Sequence, residues 1–390
     1  LAMLSRELHK ELLQAARTMP IVSVTGPRQS GKTTLVKEVF RDYAYSNFEN
    51  HDTQMFARED PRGLLSEYNN GAIFDEVQNV PEIFSYLQTH VDDKKGAGQY
   101  ILTGSQNFLL LEKISQSLAG RISLQTLLPF SISELNQTPY QETIYDTYIH
   151  KGFYPRIYDE NLDPGKWLSS YVQSYIERDV RQIINIGDLS QFQAFLKICA
   201  GRIGQLLNLT TISNMLGVSY KTIKRWISVL EASFIIFLLP PYYQNFNKRI
   251  IKTPKLYFYD PGLASYLLGI RSEDQLFSHF LRGELFEGLI ISELKKYFLN
   301  RGLNVSTYFW RDRTGHEIDC VIEYGGKLIT IEIKSGKTIK TNFLEGLEYW
   351  QKLTGSSPEN SYLVYGGGEN QKRSIGQVCG WSHFSEIIKF

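Results

Sequence analysis

The sequence predicts an α/β protein with more than one domain, and two stretches far apart in the chain indicate this. Residues 21–40 read as a short β-branched strand, a glycine-rich loop and a helix, as in a parallel sheet covered by helices. Residues 316–336, HEIDCVIEYGGKLITIEIKSG, alternate polar and apolar residues around a glycine pair, which is typical of a β-hairpin. A chain of 390 residues is longer than a single compact core accommodates, so we expect two or three domains.

The composition is that of an ordinary soluble protein. Hydrophobic residues make up 42% and charged residues 21% of the chain, and the formal net charge is +1, so binding of nucleic acid requires local basic patches. The three cysteines lie too far apart for a zinc or redox pair. The longest apolar run, residues 234–239, is too short to span a membrane, and no signal peptide is visible at the start. We therefore expect a cytoplasmic protein without a membrane segment.

The strongest motif is a complete G-x-x-x-x-G-K-T loop in its required context, between a strand and a helix. Its backbone amides and the helix N-terminus can cradle phosphates, Lys32 can reach the β and γ oxygens, and Thr33 can ligate Mg²⁺. The sequence therefore predicts binding of ATP with Mg²⁺. The expected binding residues are Gly26, Pro27, Arg28, Gln29, Ser30, Gly31, Lys32, Thr33 and Thr34.

Two later strands are predicted to bring polar residues to the same site. An apolar strand ends in Asp75 and Glu76. Asp75 would hold Mg²⁺ through the coordination shell of the ion. Glu76 would orient or deprotonate the attacking water. Residues 100–105 repeat the pattern of an apolar strand with polar residues at its C-terminal end, where ligands bind in parallel sheets. Thr103 or Ser105 is therefore expected to sense the γ-phosphate.

Arg121, in a Leu-Ala-Gly-Arg stretch, is a candidate arginine finger, with a surface or structural role as the alternative. The chain resembles prokaryotic predicted ATPases with an AAA-type core. The motifs that carry this resemblance are the glycine-rich loop, the strand ending in Asp75-Glu76, the Leu-Ala-Gly-Arg stretch and the Leu-Pro-Phe-Ser stretch at 128–131. Gly152-Phe-Tyr-Pro155 is similar to the Gly-Gly-x-Pro turn of that family, with the second glycine replaced. The resemblance extends from about residue 20 to residue 340, and it implies an AAA-type P-loop ATPase whose C-terminal region is nuclease-like.

The middle of the chain is predicted to contain a helix-turn-helix. Residues 209–230 read as a short helix that ends at Gly217 and a second helix capped by Ser219, with the glycine in the turn between them. Thr210 or Thr211 is the expected cap of the first helix. Two strand-like stretches follow with a basic loop between them, like the wing of a winged helix.

One face of the second helix and the wing loop are basic. Between residues 196 and 260 there are nine Lys or Arg against one Glu and one Asp. This concentration of positive charge is expected of a surface that contacts phosphates. The expected nucleic acid is DNA in preference to RNA. The alternative is a winged helix that packs between domains, its lysines merely solvated. The candidate nucleic-acid-binding residues are Lys221, Lys224, Arg225, Lys248 and Arg249.

The glycine pair in the C-terminal hairpin predicts its strand register, because Gly-Gly favours a two-residue turn. Asp319 then lies directly opposite Glu332. Glu317 lies opposite Lys334, and all four side chains share one face of the hairpin. Two carboxylates about 5 Å apart repel each other, and a divalent cation between them would remove the conflict. Lys334 would lie beside the metal, where it could orient a water or stabilise charge on a phosphate.

An Asp followed about a dozen residues later by Glu-x-Lys resembles the catalytic pattern of the PD-(D/E)xK nuclease-like fold. The resemblance implies Mg²⁺ or Mn²⁺ held by Asp319 and Glu332, with Lys334 in catalysis. It also implies an acid on the preceding helix, Glu287 or its rival Glu284. A salt-bridged sheet face and a nuclease fold with lost activity are the alternatives.

The chain as a whole is expected to be an ATPase coupled to a DNA-associated, metal-dependent nuclease-like domain. The alternative is a nucleotide-dependent switch or scaffold that binds a protein partner and carries an inactive nuclease fold. A homo-oligomer is compatible with either function, and Arg121 could act within its own chain or across an interface. The expected domains are an AAA-type P-loop ATPase domain (1–145), a helical linker (146–190), a winged-helix-like region (191–270) and a PD-(D/E)xK nuclease-like domain (271–390).

Overall fold

The protein is described by a computed structural model over residues 4–68, 70–105, 118–176, 189–242 and 252–388. The helices of these residues are α1 (His9–Thr18), α2 (Lys32–Val39), α3 (His51–Glu59), α4 (Pro61–Glu67), α5 (Ile83–Lys94), α6 (Ile132–Leu135), α7 (Tyr145–Lys151), α8 (Pro155–Asp159), α9 (Pro164–Tyr171), α10 (Leu189–Ala200), α11 (Leu209–Leu216), α12 (Tyr220–Ala232), α13 (Pro261–Leu267), α14 (Glu273–Phe277), α15 (Arg282–Leu299), α16 (Glu345–Thr354) and α17 (Phe384–Ile387). The strands are β1 (Ile21–Thr25), β2 (Ala44–Asn47), β3 (Ala72–Asp75), β4 (Tyr100–Gly104), β5 (Ile122–Thr126), β6 (Ile236–Leu239), β7 (Lys255–Phe258), β8 (Ser306–Arg311), β9 (Glu317–Tyr324), β10 (Lys327–Lys334), β11 (Ser361–Tyr365), β12 (Gln371–Arg373) and β13 (Gly376–Gly380).

The described residues form two compact units. The first lies within 1–130, 232–234 and 298–303, and the second within 131–231, 235–297 and 304–390. No helix in the described part of the chain is long and apolar enough to cross a membrane. The four-part domain division expected from the sequence stays a prediction.

The first unit contains a parallel five-stranded sheet in the order β2-β3-β4-β1-β5. Neighbouring residues along a strand face opposite sides, and both sides are apolar. Ile73 and Ile101 pack with residues of α1 and α2, while Phe74 and Leu102 pack with residues of α3, α4 and α5. Burial on both faces is typical of parallel sheets, so the predicted α/β class and parallel sheet are confirmed. The carboxyl ends of β1, β3 and β4 therefore meet at one edge of the sheet.

In the second unit, α10, α11 and α12 precede an antiparallel pair formed by β6 and β7. Gly217 ends α11 in a left-handed conformation with φ 65°, and the side chain of Ser219 caps α12, both as predicted. The cap of α11 is Asn208, whose side chain accepts a hydrogen bond from the Thr211 amide at 3.0 Å. The expectation of a threonine cap is therefore wrong, because the helix starts two or three residues earlier than a cap at Thr210 or Thr211 requires.

The second unit also contains a six-stranded sheet in the order β12-β13-β11-β10-β9-β8. Its hairpin β9–β10 pairs Tyr324 with Lys327, which is the predicted register. Gly325 and Gly326 have φ values of 57° and 75°, as a two-residue turn of type I′ requires. Strand β11 runs parallel to β10, and α16 connects the two strands. Helix α15 and strand β8 precede the hairpin, and α16 and β11 follow it.

Candidate functional site

The glycine-rich loop between β1 and α2 has backbone conformations that favour glycine. Gly26 has φ 148° and Gly31 has φ 89°, and a Cβ on Gly26 would overlap a neighbouring backbone carbonyl. Gly31 is the N-cap of α2, so the amides of the first helical turn open toward the loop. The buried guanidinium of Arg6 donates to the carbonyls of Ser30 at 2.8 Å and Leu128 at 2.7 Å. Arg6, which sequence reasoning missed, therefore holds the loop in place.

Lys32 lies within this loop. Its Nζ donates to the carbonyl oxygens of Pro27 at 2.8 Å and Gly26 at 3.1 Å, and its side chain is buried. Phosphate oxygens are stronger acceptors for an ammonium group than these neutral carbonyls. A nucleotide can therefore draw Lys32 toward its phosphates. Arg28 and Gln29 of the same loop are half-buried, and Thr34 is exposed in the first turn of α2.

Three hydroxyl groups converge on the carboxylate of Asp75 at the end of β3. Thr33 Oγ1 donates to Asp75 Oδ2 at 2.9 Å, Tyr45 OH donates to it at 2.7 Å, and Thr103 donates to Oδ1. Burial and the Asp75 carboxylate raise the pKa of Tyr45, so the hydroxyl stays a donor. The structure thus places Thr33 and Asp75 together, as the prediction of a Mg²⁺ site requires. Thr103 is engaged with Asp75, and Tyr45 was missed because it comes from a different strand.

Glu76 follows directly and adopts a left-handed backbone with φ 52°, which is rare for a residue other than glycine and common at functional sites. Its carboxylate accepts a hydrogen bond from Ser105 Oγ at 3.1 Å and another from the side-chain amide of Gln78. Its backbone amide donates to Thr103 Oγ1 at 3.3 Å. The turn therefore directs the carboxylates of Asp75 and Glu76 to different partners at the same sheet edge.

Arg121 lies at the opposite end of the same sheet. It precedes β5, which runs parallel to β1 with Ile122 beside Ile21, whereas the glycine-rich loop follows the far end of β1. Five residues of strand place about 16 Å between the two ends. Its guanidinium forms a two-point ion pair with Asp92, at 2.6 and 2.8 Å. The structure therefore does not bring Arg121 to the loop of its own chain, and action across an interface stays a prediction.

The predicted basic face of α12 is exposed, while Ile223 and Trp226 on its opposite face are buried. The exposed basic residues are Lys221, Lys224 and Arg225. Two further candidates, Lys248 and Arg249, lie outside the described residues. Lys255 is one of the nine basic residues between 196 and 260, but its side chain is buried and ion-paired, so the prediction that it belongs to a basic surface is wrong.

In the C-terminal sheet, Asp319 and Glu332 (the carboxylate pair) lie on neighbouring strands with Lys334 between their side chains. Lys334 Nζ lies 2.6 Å from Glu332 Oε2 and 3.3 Å from Asp319 Oδ2. The side chains of Asp319 and Glu332 are 10% and 4% exposed, whereas that of Lys334 is 34% exposed. The structure thus brings together the three residues of the predicted nuclease-like pattern, and Lys334 joins the two carboxylates through ion pairs.

The carboxylate pair favours unequal ionisation of its two members. Burial opposes the charge of Asp319, but Lys334, Lys255 and a hydrogen bond from the Ile333 amide outweigh it and lower the pKa of its carboxyl. Burial and the charge of Asp319 raise the pKa of Glu332 well above its usual value. Two acids this close do not both ionise unless a positive charge lies beside them. A divalent cation would supply that charge.

Two clefts open at the carboxylate pair. The first cleft has a volume of about 420 Å³ and is lined by Glu332, His316, Tyr349 and the first turn of α16. The second cleft has a volume of about 610 Å³ and lies toward β7 and α15. Gly346 in α16 packs so closely against Glu332 that a Cβ at this position would overlap Glu332 Oε1. Both clefts include Asp319 and Lys334.

The donor set fits one hard divalent cation. Mg²⁺ is typically bound by one or two carboxylates, with water and phosphate oxygens completing its shell, and Asp319 and Glu332 supply those two carboxylates beside an open cleft. Within the described ranges, no group of three or more His, Cys, Asp or Glu side chains is placed to hold a metal ion. The residues present therefore suit a site completed by solvent and substrate rather than a closed protein cage.

Glu287 has partners other than the carboxylate pair. Its Oε1 accepts hydrogen bonds from Lys255 Nζ at 2.9 Å and from the Tyr257 hydroxyl. Burial raises the pKa of Glu287 to about 7. Glu317, expected opposite Lys334, pairs instead with Lys255 and, at 3.3 Å, with Arg311. Sequence reasoning missed this cluster, although Lys255 and Tyr257 at i and i+2 share one face of β7 and gave a signal.

Three family models match consecutive parts of the chain. Residues 18–136 match the model described as AAA domain. Residues 142–274 match a domain of unknown function, DUF8612, and residues 282–384 match another, DUF4143. The AAA match covers the sheet, the glycine-rich loop and the carboxylates at its edge. It confirms the prediction of a P-loop ATPase domain of the AAA type.

Relatives share most of the chain. An uncharacterized protein of Mycobacterium tuberculosis is 28% identical over 335 residues, which span 85% of this chain and 74% of the relative. An uncharacterized protein of Haemophilus influenzae is 25% identical over 369 residues, spanning 85% of this chain and 87% of the relative.

Two solved structures are also similar. The Walker-type ATPase of Pyrococcus abyssi is 14% identical with a TM-score of 0.47, covering 68% of this chain and 96% of that one. The RuvB Holliday junction branch migration motor of Thermotoga maritima is 18% identical with a TM-score of 0.34, covering 61% of this chain and 90% of that one.

Proposed function

We propose that this chain, whose N-terminal unit is a P-loop ATPase domain of the AAA type, hydrolyses ATP and uses its nucleotide state to control a DNA-associated, nuclease-like C-terminal site. The observation that supports hydrolysis is the convergence of Thr33, Asp75 and Glu76 at one sheet edge, beside the loop that holds Lys32. Phosphoryl transfer needs positioning and charge stabilisation more than covalent chemistry, and these residues supply both.

Each residue of this site has a distinct role in the proposed hydrolysis. Lys32 and the amides of the loop bind the β and γ phosphates. Thr33 and Asp75 would hold Mg²⁺, which neutralises phosphate charge when bound. Glu76 orients the attacking water and accepts its proton, while Ser105 fixes the Glu76 carboxylate at 3.1 Å. Tyr45 and Thr103 keep Asp75 in place through their hydroxyl groups.

Replacing Lys32 with alanine is expected to weaken ATP binding by roughly 10²–10³-fold, because two or more charge-assisted hydrogen bonds to phosphate are lost. Titration of a fluorescent ATP analogue measures this change. Lys10→Ala, which removes an exposed ammonium from α1, is the matched control and should bind ATP as the wild type does. Equal affinity in Lys32→Ala and Lys10→Ala would contradict the proposed nucleotide site.

The nuclease-like assignment is supported by the arrangement of the C-terminal sheet. Asp319, Glu332 and Lys334 come from a hairpin in the predicted register and border two open clefts. Helix α15, which carries Glu284 and Glu287, precedes the hairpin, where the resemblance to the PD-(D/E)xK fold implies a helix with an acid. In the proposed reaction, Asp319 and Glu332 would hold Mg²⁺ or Mn²⁺, which polarises the phosphodiester and activates water when bound. Lys334 moves to the phosphate and stabilises its developing charge.

A nucleotide-dependent switch with an inactive nuclease fold is the second candidate function. The ion pairs of Lys334 with both carboxylates favour it, since a lysine that stays there would occupy the place of the cation. The two candidates differ in one observable. The switch needs ATP and a protein partner but cleaves no nucleic acid, whatever divalent metal is supplied.

Reversing the charges of Lys224 and Arg225 together, Lys224→Glu with Arg225→Glu, tests whether α12 binds DNA. Both side chains are exposed, and each phosphate contact contributes about 0.9 to the slope of log affinity against log salt. We expect the slope to fall in magnitude by about 2 in fluorescence anisotropy titrations with duplex DNA. Lys372→Glu with Arg373→Glu, an equal charge change on exposed β12, should leave the slope unchanged. An unaltered slope in the α12 variant would support a packing role for this helix.

A further inference from the structure

We infer that Lys255 takes the place of a second cation in the nuclease-like site, so that this site binds one divalent ion and not two. This inference rests on the function proposed for Asp319 and Glu332. Two-ion sites, with metals about 3.5–4 Å apart, are common among enzymes that cleave nucleic acids, and they require further carboxylates beside the first pair. Glu287 and Glu317 are two of the carboxylates that line the second cleft with Asp319, and both are engaged by Lys255.

Lys255 is built into the protein between these two acids. It comes from β7, outside the six-stranded sheet, and its side chain is only 4% exposed. Its Nζ lies 2.9 Å from Glu287 Oε1 and contacts Glu317 Oε1. The Tyr257 hydroxyl, two residues along the same strand, donates to the same oxygen of Glu287. Burial opposes the charge of Lys255, but Glu287 and Glu317 outweigh it and raise the pKa of the ammonium group.

The two lysines of the site differ in their freedom to move. The Lys334 side chain is 34% exposed and borders both clefts, so it can withdraw from Asp319 and Glu332 into solvent. The Lys255 side chain is only 4% exposed and pairs with both Glu287 and Glu317, so moving its ammonium group away would break two ion pairs in a largely enclosed place. The structure therefore assigns Lys334 as the lysine that a cation displaces and Lys255 as the one that stays.

The charges then divide the site into two halves. Lys255 and, at 3.3 Å, Arg311 neutralise the half formed by Glu287 and Glu317. The other half, Asp319 and Glu332, is left without a lysine once Lys334 withdraws and can then take a cation. A fixed ammonium group repels a second metal ion from the first half. Glu287 is accordingly a positioning residue that holds Lys255, and not a metal ligand.

The experiment counts Mn²⁺ ions bound to the full-length, nucleotide-free chain, by electron paramagnetic resonance of the free ion. The difference between the wild type and Asp319→Asn isolates the nuclease-like site from any other. We expect a difference of one ion per chain. Lys255→Met replaces the lysine with an uncharged side chain of similar length and so frees Glu287 and Glu317. The number of ions bound by Lys255→Met should exceed that bound by Asp319→Asn by two.

Each result has one meaning. A wild-type difference of two overturns the inference and leaves the nuclease-like function intact, whereas a difference of zero rejects the metal site itself. A count that stays at one in folded Lys255→Met also overturns the inference. Should Lys255→Met lose its circular dichroism spectrum, Glu317→Gln decides, because it keeps Lys255. That variant should bind one ion with a Kd within about threefold of the wild type, and loss of the ion would overturn the inference.

Discussion

The Glu76→Gln variant is expected to retain ATP but to hydrolyse it about 10²–10⁴-fold more slowly, the range for loss of a positioned general base. Glutamine keeps the shape of Glu76 and can still hydrogen-bond Ser105, but it cannot accept a proton from water. ATP should therefore accumulate on the protein. Phosphate release measured under single-turnover conditions, together with filter retention of labelled ATP, records both effects.

The control for this variant is Glu82→Gln, which makes the same chemical change at an exposed residue next to α5. Its hydrolysis rate should equal that of the wild type. Hydrolysis at the wild-type rate in Glu76→Gln would show that another group activates the water. Loss of ATP binding in Glu76→Gln would instead show that Glu76 has a structural role in its strained turn.

The Asp319→Asn variant is expected to lose Mn²⁺-dependent cleavage of nucleic acid by roughly 100-fold or more, while its ATP turnover stays unchanged. Asparagine keeps the size of the side chain but removes one of the two charges that would hold the cation. Gel assays with single-stranded DNA, duplex DNA and RNA, each with Mg²⁺ and with Mn²⁺, measure cleavage. A parallel phosphate-release assay measures ATP turnover on the same preparation.

Asp274→Asn, an exposed aspartate in α14, serves as the matched control and should cleave as the wild type does. Equal cleavage by wild type and Asp319→Asn would place the activity elsewhere or in a contaminant. A wild-type protein that cleaves none of these substrates with either metal would favour the nucleotide-dependent switch.

The sequence predicted the parts of the fold that depend on local geometry. The turn at Gly325-Gly326 fixes the hairpin register, because two residues with positive φ join the strands in only one way. The glycine-rich loop likewise lies between β1 and α2, since its conformation requires glycine at positions 26 and 31. The carboxyl ends of parallel strands meet at one edge, so the convergence of Asp75 with Thr33 could also be anticipated.

Contacts between elements distant in sequence could not be predicted in this way. The hydroxyl of Tyr45 reaches Asp75 from β2, and the side chain of Lys255 reaches Glu287 from β7. No periodic pattern links Tyr45 to Asp75, and the alternation of Lys255 and Tyr257 on β7 does not identify Glu287 as their partner. Composition places Lys255 with a basic surface, because composition records charge but not burial. The distance of Arg121 from the loop follows from strand direction, which became known only with the pairing of β5 and β1.

Diffraction from crystals soaked with Mn²⁺ and a non-hydrolysable ATP analogue, recorded at the manganese absorption edge, tests the central claim most directly. The account predicts an anomalous peak between the side chains of Asp319 and Glu332, with Lys334 turned away from both. A second peak should lie near Thr33 and Asp75, beside the nucleotide phosphates. If Lys334 still spans both carboxylates and no peak lies between them, the C-terminal site is not a metal site and the nuclease-like function is contradicted.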